Sequence, residues 1–365
     1  MAVTIYDIAK VVKTSHATVS RALNNYPQVN KKTREHIQNV AKSLGYRPNF
    51  AATALKMGKT NKLALLLPDL IDPFFAEFLR DAEHNCLLRD YKTVVIQSLL
   101  GATYEKSLEE LLKGLCDGVI VFTSSFKKLE SVAEQFRVRG MPFIAIGIRT
   151  EKGEAKVDTI EENVGRGIEM AVDHLVRLGH KEIVFFDNTP CLSEADSNRL
   201  EGLKRAFGKH GLKLQKENIF YFGAYDNRGG ITGSEHVVEL RESGAAMNQT
   251  NDGFYGIKKL MDGYPETTAI IGTSDLLMLG VYRGLLEMGL RVPDDISLVG
   301  TDDCWLSRSL PVSLTSIDMK TQQLASTAVK WFFDRIEGGD WNQPRRIVID
   351  SGLVIRESTG KAKKH

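Results

Sequence analysis

Two sets of side chains in this sequence have types and spacing that could do chemistry, and in both cases the chemistry is recognition. The first is His16, Ala17, Ser20, Arg21 and Asn24. Residues three and four apart share one side of a helix, and a guanidinium such as that of Arg21 is the natural bidentate partner of a guanine edge. The second is a series of residues directly after short apolar runs: Asp69 after LALLLP, Thr123 to Ser125 after DGVIVF, Asn188 after EIVFFD, Tyr225 after IFYFGA, Ser274 and Asp275 after AIIGT, and Asp302 and Asp303 after ISLVGT. Ligands of open α/β sheets bind at the carboxyl ends of the strands. Carboxylates converging there suit a ligand rich in hydroxyl donors.

The first set needs a helix to present it. Thr4 and Asp7 have capping-box spacing, and Ile5, Ile8, Ala9 and Val12 recur at helical period. Lys13-Thr14-Ser15 interrupts that period. A second helix from about His16 to Asn24 then turns Val19, Ala22 and Leu23 inward. A third is marked by Asn30 as cap, Ile37, Val40, Ala41 and Leu44 as its apolar side, and Gly45 as its stop before Pro48. Two short helices joined by a tight turn are the geometry in which the second enters the major groove. A helical bundle with no nucleic-acid role fits the periodicity equally well, and charge separates the two readings. Residues 1–62 carry eleven Lys and Arg against Asp7 and Glu35, a balance of +9, whereas the rest of the chain carries −7 within an overall charge of +2. A polyanionic partner for the first 62 residues follows.

At 365 residues, 42% hydrophobic and 26% charged, the chain has the material for two or three domains with real cores. The start MAVTIYDIAK has no apolar signal core, and no run approaches the roughly 18 apolar residues of a membrane span. Cys86, Cys116, Cys191 and Cys304 are scattered, with no metal-type pair. A reduced, cytoplasmic protein with no membrane partner is expected. From Lys62 on, apolar runs alternate with amphipathic stretches, and the rhythm restarts after about residue 162, which predicts two parallel-sheet subdomains with helices on both faces. The stretch Gln322 to Glu337 should return to the first subdomain, and the last strands, RRIVID and SGLVIREST, to the second. Three crossings of this kind make a hinge that allows closure over a ligand. The basic end GKAKKH is expected to be disordered.

The segments TIYDIAKVVKTSHATVSRALN, TREHIQNVAKSLGYRPN and ALKMGKTN, with PDLIDPFFAEF, DHLVRLGHKEI, GLRVPDDISLVGTDD and SGLVIREST further on, resemble the lactose-repressor (LacI/GalR) family of bacterial transcription regulators along nearly the whole chain. The resemblance implies an all-α helix–turn–helix headpiece plus an α/β effector domain of two parallel-sheet subdomains, like a periplasmic sugar-binding protein. It implies a homodimer on a pseudo-palindromic, double-stranded operator and a small-molecule effector, a sugar or sugar derivative, with no cofactor and no metal. The expected division is a DNA-binding domain over 1–48, a hinge helix or linker over 49–62, and an effector and dimerisation domain over 63–358. Within that domain, subdomain one takes 63–161 and 318–343, and subdomain two takes 162–317 and 344–358; the tail is 359–365. His16, Ala17 and Arg21 are expected to reach base edges, and Thr4, Tyr6, Thr18, Ser20, Asn24 and Thr33 to hold phosphates. Leu55 matches the hinge leucine that wedges into the minor groove, which reads DNA through its deformability. On the effector side the resemblance singles out Arg199, Asp275 and Asp302, with Tyr225 where some members carry a stacking aromatic, and Phe74 stands at the mouth of the first crossover. Asp69 and Ser124, both at strand ends, complete the expected effector site.

This sequence departs from the family in places. Lys13 stands where a glycine is usual before the recognition helix, and a left-handed backbone there costs roughly 1–2 kcal/mol. Glu162-Asn163 and Ser274-Asp275 replace an aspartate–asparagine and an asparagine–aspartate pair, so the effector is expected to be unusual. Between Tyr225 and Thr250 about twenty residues are added to a short strand-to-helix link, well past ordinary loop length, and they are expected to overhang the effector cleft. Enzyme signatures are lacking: Gly165 and Gly167 in GRGIEM do not follow an apolar strand, and there is no P-loop, GxSxG or HExxH. The expected function is a ligand-responsive transcription regulator, a repressor of carbohydrate uptake or catabolism genes. The alternatives are a nucleoside, purine or sugar-phosphate corepressor in the same class, and a sugar-binding transport protein. The last would need a secretion signal and no basic headpiece.

Overall fold

The computed structural model describes residues 3–47, 58–97, 102–123, 130–147, 157–188, 198–222, 249–339 and 343–363. These form two compact units, Met1–Thr60 and Asn61–His365. In the first, α1 (Ile5–Val12), α2 (His16–Leu23) and α3 (Lys31–Ser43) enclose Ile8, Ala9, Val19, Ala22, Val29, Ile37 and Ala41. The local signals act as read: Thr4 and Asp7 form the capping box, the side chains of Ser15 and Asn30 cap α2 and α3, and Gly45 follows α3 at φ 68°. Lys13 caps the end of α1 at φ 55°, ψ 47°, the left-handed conformation that a glycine would take without strain. The hinge stretch with Leu55 lies outside the described residues.

The second unit holds two six-stranded sheets. The first runs β11-β5-β4-β3-β1-β2, from β1 (Lys62–Leu67), β2 (Lys92–Gln97), β3 (Val119–Phe122), β4 (Phe143–Ile146), β5 (Asp158–Asn163) and β11 (Arg346–Asp350). The second runs β12-β10-β9-β8-β6-β7, from β6 (Ile183–Asp187), β7 (Ile219–Tyr221), β8 (Ala269–Gly272), β9 (Ser297–Asp302), β10 (Thr315–Asp318) and β12 (Gly352–Val354). All pairings are parallel except that of β10 with β12. Leu63, Leu65 and Leu67 of β1 face one apolar cluster while Ala64 and Leu66 face another, so helices cover both faces of the strand. In the first subdomain α4 (Pro73–Leu87) and α11 (Thr321–Ile336) lie on one side, and α5 (Ala102–Leu111) and α6 (Glu130–Val138) on the other. In the second, α7 (Val164–Arg177) and α8 (Asn198–Lys209) oppose α9 (Gln249–Gly263) and α10 (Asp275–Glu287). A Cβ at Gly165 would meet the Asn198 carbonyl at 2.3 Å, and one at Gly202 the Gly165 carbonyl at 2.5 Å. Gly165 of GRGIEM therefore serves close packing of α7 against α8, and Gly167 that of α7 against the second sheet, where a Cβ would meet the Ile317 side chain at 2.3 Å.

Three expectations are corrected here. RRIVID does not return to the second subdomain: β11 pairs with β5, held by Arg346 on Glu161 and by Arg345 on the buried Asp158, and only β12 joins the second sheet. Residues 344–350 thus belong to the first subdomain, and β5 carries that subdomain to Asn163 rather than 161. Ser351 alone separates the two strands, and both read as strands, so nothing local in the sequence says that the chain changes sheets between them. The tail is also not loose as far as Lys363. The Gly360 carbonyl lies 3.0 Å from His180 Nε2, the Ala362 N–H donates to the Leu178 carbonyl at 2.9 Å, and Lys363 pairs with Asp295 at 2.8 Å.

Candidate DNA-reading face and effector cleft

The first site is the outer side of α2. His16 and Arg21 are exposed, Ala17, Thr18 and Ser20 half-buried, while Val19 and Ala22 fill the core below them. Asn24, the residue after α2, donates from its amide to the Ser20 carbonyl at 2.8 Å, which fixes its side chain along the same helix. The Tyr6 ring, 59% exposed, lies 5.2 Å from the His16 ring, so the start of α1 and the start of α2 form one surface. Two of the expected phosphate contacts already have work inside the headpiece. The Thr4 hydroxyl donates to Asp7 at 2.7 Å, and Thr18 Oγ1 lies 2.9 Å from the Ser15 hydroxyl. Thr33 is half-buried on the first turn of α3, its N–H held by the Asn30 side chain.

The second site is the cleft between the two sheets of the body, where strand ends of both subdomains meet. From the first subdomain come Asp69 and Asp72 after β1, Glu77 on α4, and Glu162 at the end of β5. From the second come Arg199 on the first turn of α8, Gln249 at the start of α9, Ser274 before α10, and Asp302 at the end of β9. Hydrogen bonds join the sides at the mouth: Gln249 Nε2 donates to Asp72 at 2.9 Å, and the Trp305 N–H donates to Glu77 at 3.0 Å.

Electrostatics in the cleft are strained. Burial, together with the negative charges of Asp72 and Asp275, holds the Asp302 carboxyl well above the usual carboxylate range, against the pull of Arg199. Burial pushes Glu162 up to about 7, again opposed by Arg199, and Glu162 Oε1 is enclosed without a hydrogen-bond partner. Burial also raises Asp72. Asp302 and Asp303 have φ 115° and 53°, values that a β-carbon disfavours. Strain of this kind persists only where the surroundings enforce it, and they do. Asp303 is clasped by Arg356, its N–H donates to Ser316 at 3.1 Å, and the Arg356 guanidinium also donates to the Leu314 carbonyl at 2.7 Å.

The structure brings Asp69, Arg199 and Asp302 to the cleft but moves two expected contacts out of it. Asp275 is fully enclosed: one carboxylate oxygen accepts from the Ser316 hydroxyl at 2.6 Å and the other from the Cys304 N–H at 3.0 Å, with burial pushing the group up to about 7. It braces the Asp302–Asp303 turn from a fully buried position, out of a ligand's reach. Phe74 is 7% exposed, with its ring edge-on to Phe75 and Phe122 in the core. An apolar side chain on the first turn of a helix that covers a sheet goes inward, and that won over the crossover's mouth. Ser124, Tyr225 and residues 226–248 of the 226–249 insertion lie outside the described residues, and the insertion's last residue, Gln249, opens α9. Asp69 spends one oxygen on the Ile71 N–H at 2.9 Å. Sequence reasoning did not select Asp72, Gln249 or Glu77. Asp72 was legible as a cap, since it precedes proline at a helix start; for Gln249 no local pattern existed.

Comparison with known proteins agrees with this geometry. A family model for bacterial regulatory proteins of the lacI family matches residues 4–49, one for periplasmic binding proteins and the sugar-binding domain of the LacI family matches 60–226, and one for a periplasmic binding protein-like domain matches 172–359. The NTD biosynthesis operon regulator of Bacillus subtilis is 30% identical over 361 residues, 98% of this chain and 99% of that protein. The ribose operon repressor of Haemophilus influenzae is 26% identical, covering 97% of this chain and 98% of that one. Among solved structures, the lac repressor dimer bound to operator and the anti-inducer ONPF superposes with a TM-score of 0.80 at 22% identity, covering 99% of this chain and 100% of that one.

Proposed function

Since the chain belongs to the LacI family of bacterial regulatory proteins, and so is a helix–turn–helix transcription regulator, we propose that it works as a homodimeric repressor of carbohydrate uptake or catabolism genes. In this reading it acts on nucleoid DNA in the cytoplasm and is switched by a sugar or sugar derivative. His16, Ala17 and Arg21 read bases, and Thr4, Tyr6, Thr18, Ser20, Asn24 and Thr33 set the register on phosphates. Leu55 of each protomer wedges into the minor groove between the two half-sites. The exposure of His16 and Arg21 over a packed α2, within a segment of charge +9, supports the docking. Arg21→Ala is expected to cost about 1–3 kcal/mol of operator binding and to relax one operator position; an unchanged selected-site profile would contradict the docking.

The observation that carries the effector part is the gathering of Arg199, Asp302 and Glu162 at the facing ends of the two subdomains, near enough for the Arg199 charge to pull both carboxyls down against their burial. A guanidinium and carboxylates together give and take hydrogen bonds from vicinal hydroxyls. One relative supports a sugar, since it is named for a ribose operon. The switch is differential affinity of the ligand for two arrangements of the subdomains. Thermal-shift screening of sugars, sugar phosphates and nucleosides, with and without operator-selected DNA, tests this. A ligand that stabilises the DNA complex is a corepressor, one that releases DNA is an inducer, and a hit confined to nucleosides would replace the sugar reading.

A further inference from the structure

Asp72, Gln249 and Ser274 form one buried relay across the effector cleft. Asp72 caps α4 in the first subdomain: one oxygen accepts from the Phe74 N–H at 2.9 Å and the other from Gln249 Nε2 at 2.9 Å. Gln249 opens α9 in the second subdomain, and its Oε1 accepts from the Ser274 hydroxyl. Ser274 caps α10, accepting from the Leu277 N–H at 3.1 Å. The three side chains belong to residues 7%, 9% and 6% exposed, so these bonds lie where water competes least and where a lost partner is costly.

The polarity of the relay is fixed. A carboxylate only accepts, so the amide nitrogen must face Asp72; the Ser274 oxygen already accepts from Leu277, so its proton must go to the amide oxygen. A side chain with a donor and an acceptor side by side is required at 249, and the link exists only while the subdomains are together. The second tie, Glu77 to the Trp305 N–H, stands at the exposed rim, where a hydrogen bond contributes less.

We propose that Gln249 is the positioning residue that sets the balance between the closed and open cleft, by joining the capped ends of α4 and α10 through its amide. The proposal rests on reading the cleft as the effector site, because the oxygen Gln249 occupies on Asp72 is one that a ligand with hydroxyl donors would compete for. Loss of the amide then favours the open form before any effector is present.

The test uses the full-length chain without effector, read by small-angle scattering and by operator binding. Gln249→Glu sets a second acceptor against Asp72, and Gln249→Ala removes both bonds. Each is expected to shift the closed-to-open ratio by tenfold or more, seen as a larger radius of gyration and an altered operator affinity. Asp72→Asn combined with Gln249→Glu reverses the donor and acceptor while keeping a cap for Phe74 and an acceptor for Ser274, and it is expected to restore the wild-type scattering profile. A residue that merely fills space would not be rescued by that exchange. Single variants that scatter like wild type, or a double variant that stays as open as Gln249→Glu, overturn the proposal. Failure of the wild-type chain to bind operator would overturn the regulator reading of the cleft and leave the scattering result to decide on Gln249.

Discussion

Replacing Lys13 with glycine separates two effects that the turn before α2 combines. The backbone at Lys13 has φ 55° and ψ 47°, and a residue with a β-carbon pays roughly 1–2 kcal/mol for that conformation. Glycine escapes the cost but gives up about 0.5–1 kcal/mol of chain entropy on folding. The net expectation for Lys13→Gly is a headpiece about 0.5–1 kcal/mol more stable, which slows exchange of the buried Ile8 and Val19 amides by roughly two- to fivefold when exchange follows the opening equilibrium. Operator binding should move the other way. Lys13 is exposed beside the amino end of α2, and losing one phosphate-neutralising cation from each protomer lowers the salt slope of the dimer by about 1.8 and weakens binding. Lys13→Ala is the control, because it removes the charge and keeps the strain. It should match the glycine variant in salt slope and show no gain in protection. Faster amide exchange in Lys13→Gly than in wild type would refute the strain argument, and an unchanged salt slope would refute the phosphate contact.

Asp158 holds the side chains of Arg335 and Arg345 at 2.6 and 2.9 Å beneath the edge of the first sheet, and Arg335 is 7% exposed. Asp158→Ala leaves that guanidinium buried without a counter-charge, so the urea midpoint should fall by the equivalent of about 3–5 kcal/mol. Burial raises the Asp158 carboxyl, but the hydrogen bonds from Arg335 and Arg345 outweigh it and hold the group below its ordinary value. Its contribution is therefore complete above the unfolded carboxylate range and disappears as pH falls through the lowered native value; Asp158→Ala should flatten the acid limb of the stability profile. Glu162 has the opposite sign. Its native value is raised from 4.5 to about 7, so the folded chain binds the extra proton and stability falls as pH rises across that window, by on the order of 3 kcal/mol. Glu162→Gln should remove its own share of the decline between those pH values in calorimetry, while the raised Asp275 and Asp302 carboxyls keep theirs, and an unchanged slope would mean that the Glu162 carboxyl is ionised in the native protein.

The helical headpiece was readable because each of its signals is local: a capping box at Thr4, an Asn30 cap, a Gly45 stop, and apolar residues at one period. The layers of the body were readable for the same reason, since strands enclosed on both faces are short continuous apolar runs such as Leu63–Leu67. What could not be read was pairing at a distance. RRIVID is a strand in either subdomain, and its place beside β5 depends on ion pairs with Asp158 and Glu161, nearly two hundred residues earlier. The site was partly legible for a related reason. The strand-end rule reached Asp69, Ser274 and Asp302 but cannot say which way a carboxylate points. Asp275 turned into the protein, where Ser316 and the Cys304 N–H offer a donor to each of its oxygens.

The distribution of apolar and polar contacts between the subdomains shows how one chain can be both firmly folded and able to switch. The chain crosses between sheets after Asn163, after Asp318 and at Ser351. Around these crossings Ile160, Val164, Ile317, Met319 and Ile349 belong to one continuous apolar cluster reaching into both subdomains. Asn163 adds polar ties there, donating to Asp350 at 2.7 Å and accepting from Asn198 at 3.1 Å. At the mouth, by contrast, Asp72–Gln249 and Glu77–Trp305 are hydrogen bonds. Apolar area is worth about 25 cal/mol per Å² wherever it is buried, so an apolar mouth would hold the cleft shut by more than a small ligand could reverse. A hydrogen bond exchanged for one to water is worth only about 0.5–1.5 kcal/mol net, which is the scale on which two conformations stay within a few kcal/mol of each other. Apolar contact at the pivot and polar contact at the mouth therefore leave the balance open to an effector, and replacing Gln249 by leucine, which removes both amide bonds and sets an apolar side chain against the Asp72 carboxylate, should favour the open cleft.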